Sequence, residues 1–103
     1  MTPEQITALT DDEIRLKVAE LLGWADIDDF TETGMDPRSQ RVWDIPDFPR
    51  DLNACHEMEK TLSLGEKCYY VDLLQGKMGS LEWGFATARQ RCESFIAVKE
   101  RDI

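Results

Sequence analysis

The chain has 103 residues, 42% of them hydrophobic and 32% charged, with a formal net charge of −9. That length suits one globular domain spanning 1–103, and the apolar content is too high for a disordered chain. No apolar run approaches the roughly 18 residues a membrane helix needs, and the first 24 residues lack a basic, then apolar, secretory leader. The acidic balance opposes nucleic acid and anionic membranes as partners, so a cytoplasmic protein is expected.

The charge is uneven: residues 1–50 hold 12 acids against 5 bases, a net of −7, and residues 51–103 hold 9 against 7, a net of −2. The first clear element begins at Thr10-Asp11-Asp12-Glu13, a capping box with three acids at the positive end of the helix dipole. Ile14, Val18, Leu21 and Leu22 follow on one helical face. Gly23 is the stop signal, and Trp24 is expected to fold back onto the core.

From 25 to 44 the helical period disappears. Asp26, Asp28, Asp29, Glu32 and Asp36 occur before the next base, Arg38, but their spacing does not match an EF-hand loop. They read as a solvated loop with the capacity to engage a basic partner, and not as a metal site. Short strands are expected at 27–32 and 41–44, with Trp43 as a core anchor, and Gly34-Met35-Asp36-Pro37 is turn chemistry.

Pro46 and Pro49 lead into a helix expected at 49–61, with Leu52, Cys55, Met58 and Leu62 as its apolar stripe. Cys68-Tyr69-Tyr70-Val71-Asp72-Leu73-Leu74 has strand composition, although its length also allows a helix. A turn at 76–80 and a partner strand at 81–85 follow. Thr87-Ala88-Arg89-Gln90 is a second capping box, opening a helix whose apolar face is Ala88, Cys92, Phe95 and Ile96. Three helices packed on a small sheet, an α/β (α+β) domain, result. Leu52, Met58, Phe95 and Ile96 are expected to share its core.

Three groups invite chemistry. His56, the chain's only histidine, has Glu57, Glu59 and Lys60 beside it, a catalytic temptation for a hydrolase using His56 and Glu57. A zinc-protease helix would need a second histidine where Lys60 stands, so His56 reads instead as part of a partly buried polar network between helices. Thr87, Arg89 and Arg91 could gather a phosphate at a helix start, but Thr87 and Gln90 can satisfy those donors themselves. The three cysteines, Cys55, Cys68 and Cys92, lack metal-ligand spacing and read as free thiols, so no metal or other cofactor is expected.

The sequence resembles the phage ABA sandwich domain family, small proteins of tailed phages and prophages. The resemblance runs through Asp12-Glu13-Ile14-Arg15-Leu16-Lys17-Val18-Ala19-Glu20-Leu21-Leu22-Gly23-Trp24 and Pro46-Asp47-Phe48. It continues in Asp51-Leu52-Asn53-Ala54-Cys55-His56-Glu57-Met58-Glu59-Lys60 and Ala86-Thr87-Ala88-Arg89-Gln90-Arg91. It implies an α-β-α sandwich and a phage or prophage origin, with action inside the bacterial host. It implies no activity. The expected function is non-enzymatic binding of a host protein with a basic surface, as an inhibitor of host defence. The alternatives are capture of a phosphorylated or nucleotide ligand, with Arg89, Arg91, Thr87 and His56 in reach, and the His56–Glu57 hydrolase.

Overall fold

The computed structural model describes residues 1–78 and 86–100. Five α-helices are found there: α1 (Pro3–Thr7), α2 (Asp11–Leu21), α3 (Leu52–Glu59), α4 (Leu64–Met78) and α5 (Ala88–Glu100). Between α2 and α3 lies an antiparallel sheet of three short strands, β1 (Ala25–Asp28), β2 (Thr33–Met35) and β3 (Val42–Asp44), in the order β1-β2-β3. The α+β class expected from the sequence is the class observed. None of these helices is long and apolar enough to cross a membrane.

Local chemistry sets the helix ends. Thr10 Oγ1 accepts the Glu13 backbone N–H at 3.1 Å while Glu13 Oε1 accepts that of Thr10 at 2.9 Å, closing the expected capping box on α2. At its other end Gly23 has φ +94°, Gly23 N–H donates to Glu20 O and Trp24 N–H donates to Ala19 O. This is a Schellman stop, and it turns Trp24 back against the core as expected. A further capping box, Thr2 with Gln5, makes α1 out of the segment that precedes it.

The largest departure is α4. The segment 68–74, whose composition favours a strand although its length allows a helix, lies inside a 15-residue helix. Its N-terminus is fixed by a capping box the sequence displays: Ser63 N–H donates to Glu66 Oε1 at 2.8 Å and Glu66 N–H to Ser63 Oγ at 3.3 Å. Tyr70 and Leu74, four apart, are buried while Asp72 between them is exposed, whereas a strand would put all three on one face. Gly76, expected to open a turn, is still helical. Positions 79–85, with the rest of that turn and the strand expected at 81–85, lie outside the described residues.

Helix α5 is the centre of the packing. It touches α1, α2, α3 and α4, and Ala88, Arg91, Cys92, Ser94, Phe95, Ile96 and Val98 are all buried along it. Around it close Ile6, Ile14, Val18, Ile45, Phe48, Met58, Leu62 and Leu74. The sheet joins the helices mainly through β1 and α2. Two expected core residues are absent from this cluster. Leu52 is 47% exposed because α3 begins at Leu52 and not at Pro49, so the chain buries Ile45, Phe48 and Pro49 in its place. Trp43 is 52% exposed on the edge strand β3.

Candidate functional site

The acidic segment folds as a twisted hairpin. Ala25 pairs with Met35 and Asp28 with Thr33, so β1 carries one residue more than β2, a bulge at which Asp26 takes φ +50°. Asp28 Oδ1 accepts the backbone N–H of Phe30 at 2.9 Å and of Thr31 at 3.4 Å, closing the turn from within. Glu32, at φ +55°, places its carboxylate 2.6 Å from Arg15 of α2, whose guanidinium also donates to Ile45 O. Asp36 Oδ1 accepts Arg38 N–H in the β2–β3 loop.

The five acids therefore divide. Asp28, Glu32 and Asp36 build the hairpin and tie it to α2, whereas the Asp26 and Asp29 carboxylates have no partner among the described residues. Phe30 stands at the tip of this turn, 93% exposed. On the edge strand, Val42 and Trp43 alternate in direction, and both are open to solvent. Sequence reasoning missed these apolar residues as a surface. The available signal was Phe30 among polar neighbours, Asp28, Asp29 and Thr31, with no apolar residue two positions away on either side to share a strand face.

His56 does not link helices. Its imidazole is exposed and Nδ1 lies 3.1 Å from Glu59 Oε1 one turn along α3. The inter-helix link is Glu59 itself, whose Oε2 accepts from Arg91 of α5 at 3.1 Å; Arg91 Nε also donates to Ala86 O. Burial first, and the neighbouring Glu59 charge second, push the Tyr70 phenol up. Glu57 faces elsewhere, toward Lys60 at 3.0 Å, and the ammonium holds its carboxyl below the usual range. His56 and Glu57 are thus engaged by different partners.

At the start of α5, Thr87 N–H donates to Gln90 Oε1 and Thr87 Oγ1 accepts Gln90 N–H, so the cap is internal. The arginines do not face water. Arg89 holds Glu93 and Asp11 and donates to the carbonyls of Thr7 and Leu9, and Arg91 is only 6% exposed. Both guanidiniums serve as internal clamps, with donors directed at carbonyls and carboxylates of this chain.

The thiols separate by environment. Cys55 and Cys92 are buried with their Sγ atoms 3.9 Å apart, and Cys55 donates to Phe48 O at 3.0 Å. The bond with Cys55, together with burial, drives the Cys92 thiol well up from its ordinary value, which suppresses its thiolate. Cys68 is exposed on α4. A thiol reagent is expected to modify one cysteine, Cys68, in the folded protein and all three in denaturant, as read by intact mass. Fast modification of Cys55 or Cys92 under native conditions would contradict this packing.

Among the described residues no three His, Cys, Asp or Glu side chains converge as metal ligands would. Comparisons with protein-family models, with curated proteins and with solved structures found no match to this chain.

Proposed function

We propose that this chain is a non-enzymatic binding protein of phage or prophage origin that engages a basic surface of a bacterial host protein through its acidic hairpin. The observation that carries this reading is Phe30, 93% exposed at a turn flanked by Asp26 and Asp29, whose carboxylates have no partner among the described residues. An exposed aromatic gives a binding surface its anchor, and the surrounding charge steers a lysine- or arginine-rich partner to it. The edge strand extends the surface with Val42 and Trp43. The origin and the cytoplasmic site of action rest on the resemblance in blocks 12–24 and 51–60. Blunting a host defence is the role such binding would serve.

Capture of a phosphorylated ligand is less well supported, because Arg89 and Arg91 are spent on internal acceptors. The hydrolase reading is weakened by the separate engagement of His56 and Glu57.

The test uses the wild-type chain and the combined variant Asp26→Asn, Asp29→Asn, Phe30→Ala as baits in host lysate, followed by kinetics with any captured protein. Asp28, Glu32 and Asp36 are left intact because the hairpin depends on them. The wild-type chain is expected to retain a basic protein that the variant loses. Its association should slow at least about tenfold in the variant and slow further with salt, while thermal unfolding stays unchanged. Equal capture by both baits, or association indifferent to salt, would overturn the reading.

A further inference from the structure

A separate concavity lies where the end of α2, the β2–β3 loop and α3 meet. It encloses about 260 Å³ and has an apolar floor of Leu22, Trp24, Phe48 and Met58, the last two almost wholly buried. Its position follows from two features already described. The Schellman stop at Gly23 swings Trp24 back, and the left-handed Gly23 lets Pro37 of the β2–β3 loop lie over the end of α2, 3.8 Å from where a Cβ would stand.

The rim carries charges of both signs: Arg38 on one element, Asp36 beside it, and Glu57 on α3, whose carboxylate Lys60 already holds at 3.0 Å. Arg38 influences Glu57 electrostatically, yet makes no ion pair with it or with any other carboxylate among the described residues. The Asp36 carboxylate accepts a backbone N–H on one oxygen and has no other partner among the described residues. Hence an exposed arginine without an ion pair among the described residues lines an apolar pocket, with the Asp36 carboxylate on the same rim. A purely apolar occupant would leave these charges unused. A simple anion would meet Arg38 but be opposed by Asp36 and Glu57, and a simple cation would meet the reverse.

We propose that this concavity is a binding site for a free apolar α-amino acid, with its side chain on the Trp24–Phe48–Met58 floor, its carboxylate on Arg38 and its ammonium toward Asp36. The volume accommodates one side chain of the size of leucine, methionine or phenylalanine with its backbone atoms at the mouth, below the range of drug-sized sites. Arg38 supplies two parallel donors for the carboxylate, and a planar fork of this kind distinguishes it from a neutral amide. The site is independent of the hairpin tip, so the two readings stand or fall separately.

The experiment titrates the full chain with L-phenylalanine, L-leucine and L-methionine by NMR and calorimetry, following the Trp24 indole N–H and the Met58 methyl. Hydrocinnamate, which lacks the ammonium, and phenethylamine, which lacks the carboxylate, are the comparison ligands. At least one amino acid is expected to bind with a dissociation constant on the order of 1 mM, as ligands of this size do. Each comparison ligand should bind about tenfold or more weaker. Arg38→Gln should weaken the amino acid by a similar factor and leave phenethylamine unchanged, whereas Lys67→Gln, on exposed α4, should change neither. Amino-acid binding equalled by hydrocinnamate or phenethylamine would overturn the proposal. So would the absence of shifts at Trp24 and Met58 with all three amino acids.

Discussion

Phe95→Ala is expected to destabilise the chain by about 3–5 kcal/mol, the range for removing a buried aromatic ring from a packed core. Phe95 is fully buried at the middle of α5, and α5 is the helix on which α1, α2, α3 and α4 converge. A cavity there is bordered by several elements, and no single one of them can move in to fill it without losing its contacts with the rest. Lys99 also lies over the ring, 5.8 Å from its centroid, so truncation removes a cation–π contact as well. Urea unfolding followed by tryptophan fluorescence is the measurement. A loss below about 1 kcal/mol would mean that α5 is not the hub.

How much of this was legible depended on whether a local signal agreed with its tertiary setting. Capping boxes at Thr10 and Thr87 and the stop at Gly23 act through neighbouring backbone, so they survive without knowledge of the fold, and the ends they mark are where the structure has them. The stripe of Cys92, Phe95 and Ile96 was legible for the same reason: helical period places all three on one face. The segment 68–74 misled because aromatic and branched residues favour a pleated surface only when a sheet is there to receive them. Ser63 and Glu66 carried the opposing signal, a capping box five residues upstream, and Gly65 between them resembled a break. A glycine costs a helix backbone entropy of only about 1 kcal/mol, which the cap and the packing of Tyr70 and Leu74 outweigh.

The candidate sites were legible in composition and not in arrangement. The acids of 26–32 stand in one hairpin and Asp36 just past it, but nothing in their spacing separates Asp28 and Glu32, which build the hairpin, from Asp26 and Asp29, which face solvent. The pocket drew on residues from three elements, Trp24, Arg38 and Glu57, which no sequence window contains. Trp43 was mistaken for an anchor because large aromatics are usually buried, whereas an edge strand of three residues has no second layer to cover it.

Arg91→Ala is expected to cost about 3 kcal/mol, because it strips the Oε2 partner from Glu59 and the donor from Ala86 O inside the packed region. A ligand-gathering arginine would behave differently, since its removal from a solvent-facing helix end leaves folding nearly untouched. The two roles are separated by a double-mutant cycle with Glu59→Gln in urea. If the pair is structural, the double variant should lose less than the two single variants together, with a coupling of about 0.5–3 kcal/mol. His56 lies on the solvent side of Glu59, so His56→Ala should leave that coupling intact. A stable Arg91→Ala protein with no coupling to Glu59 would return Arg91 to the list of groups available to an anion. A destabilised one with strong coupling fixes it as the strut that holds α3 against α5.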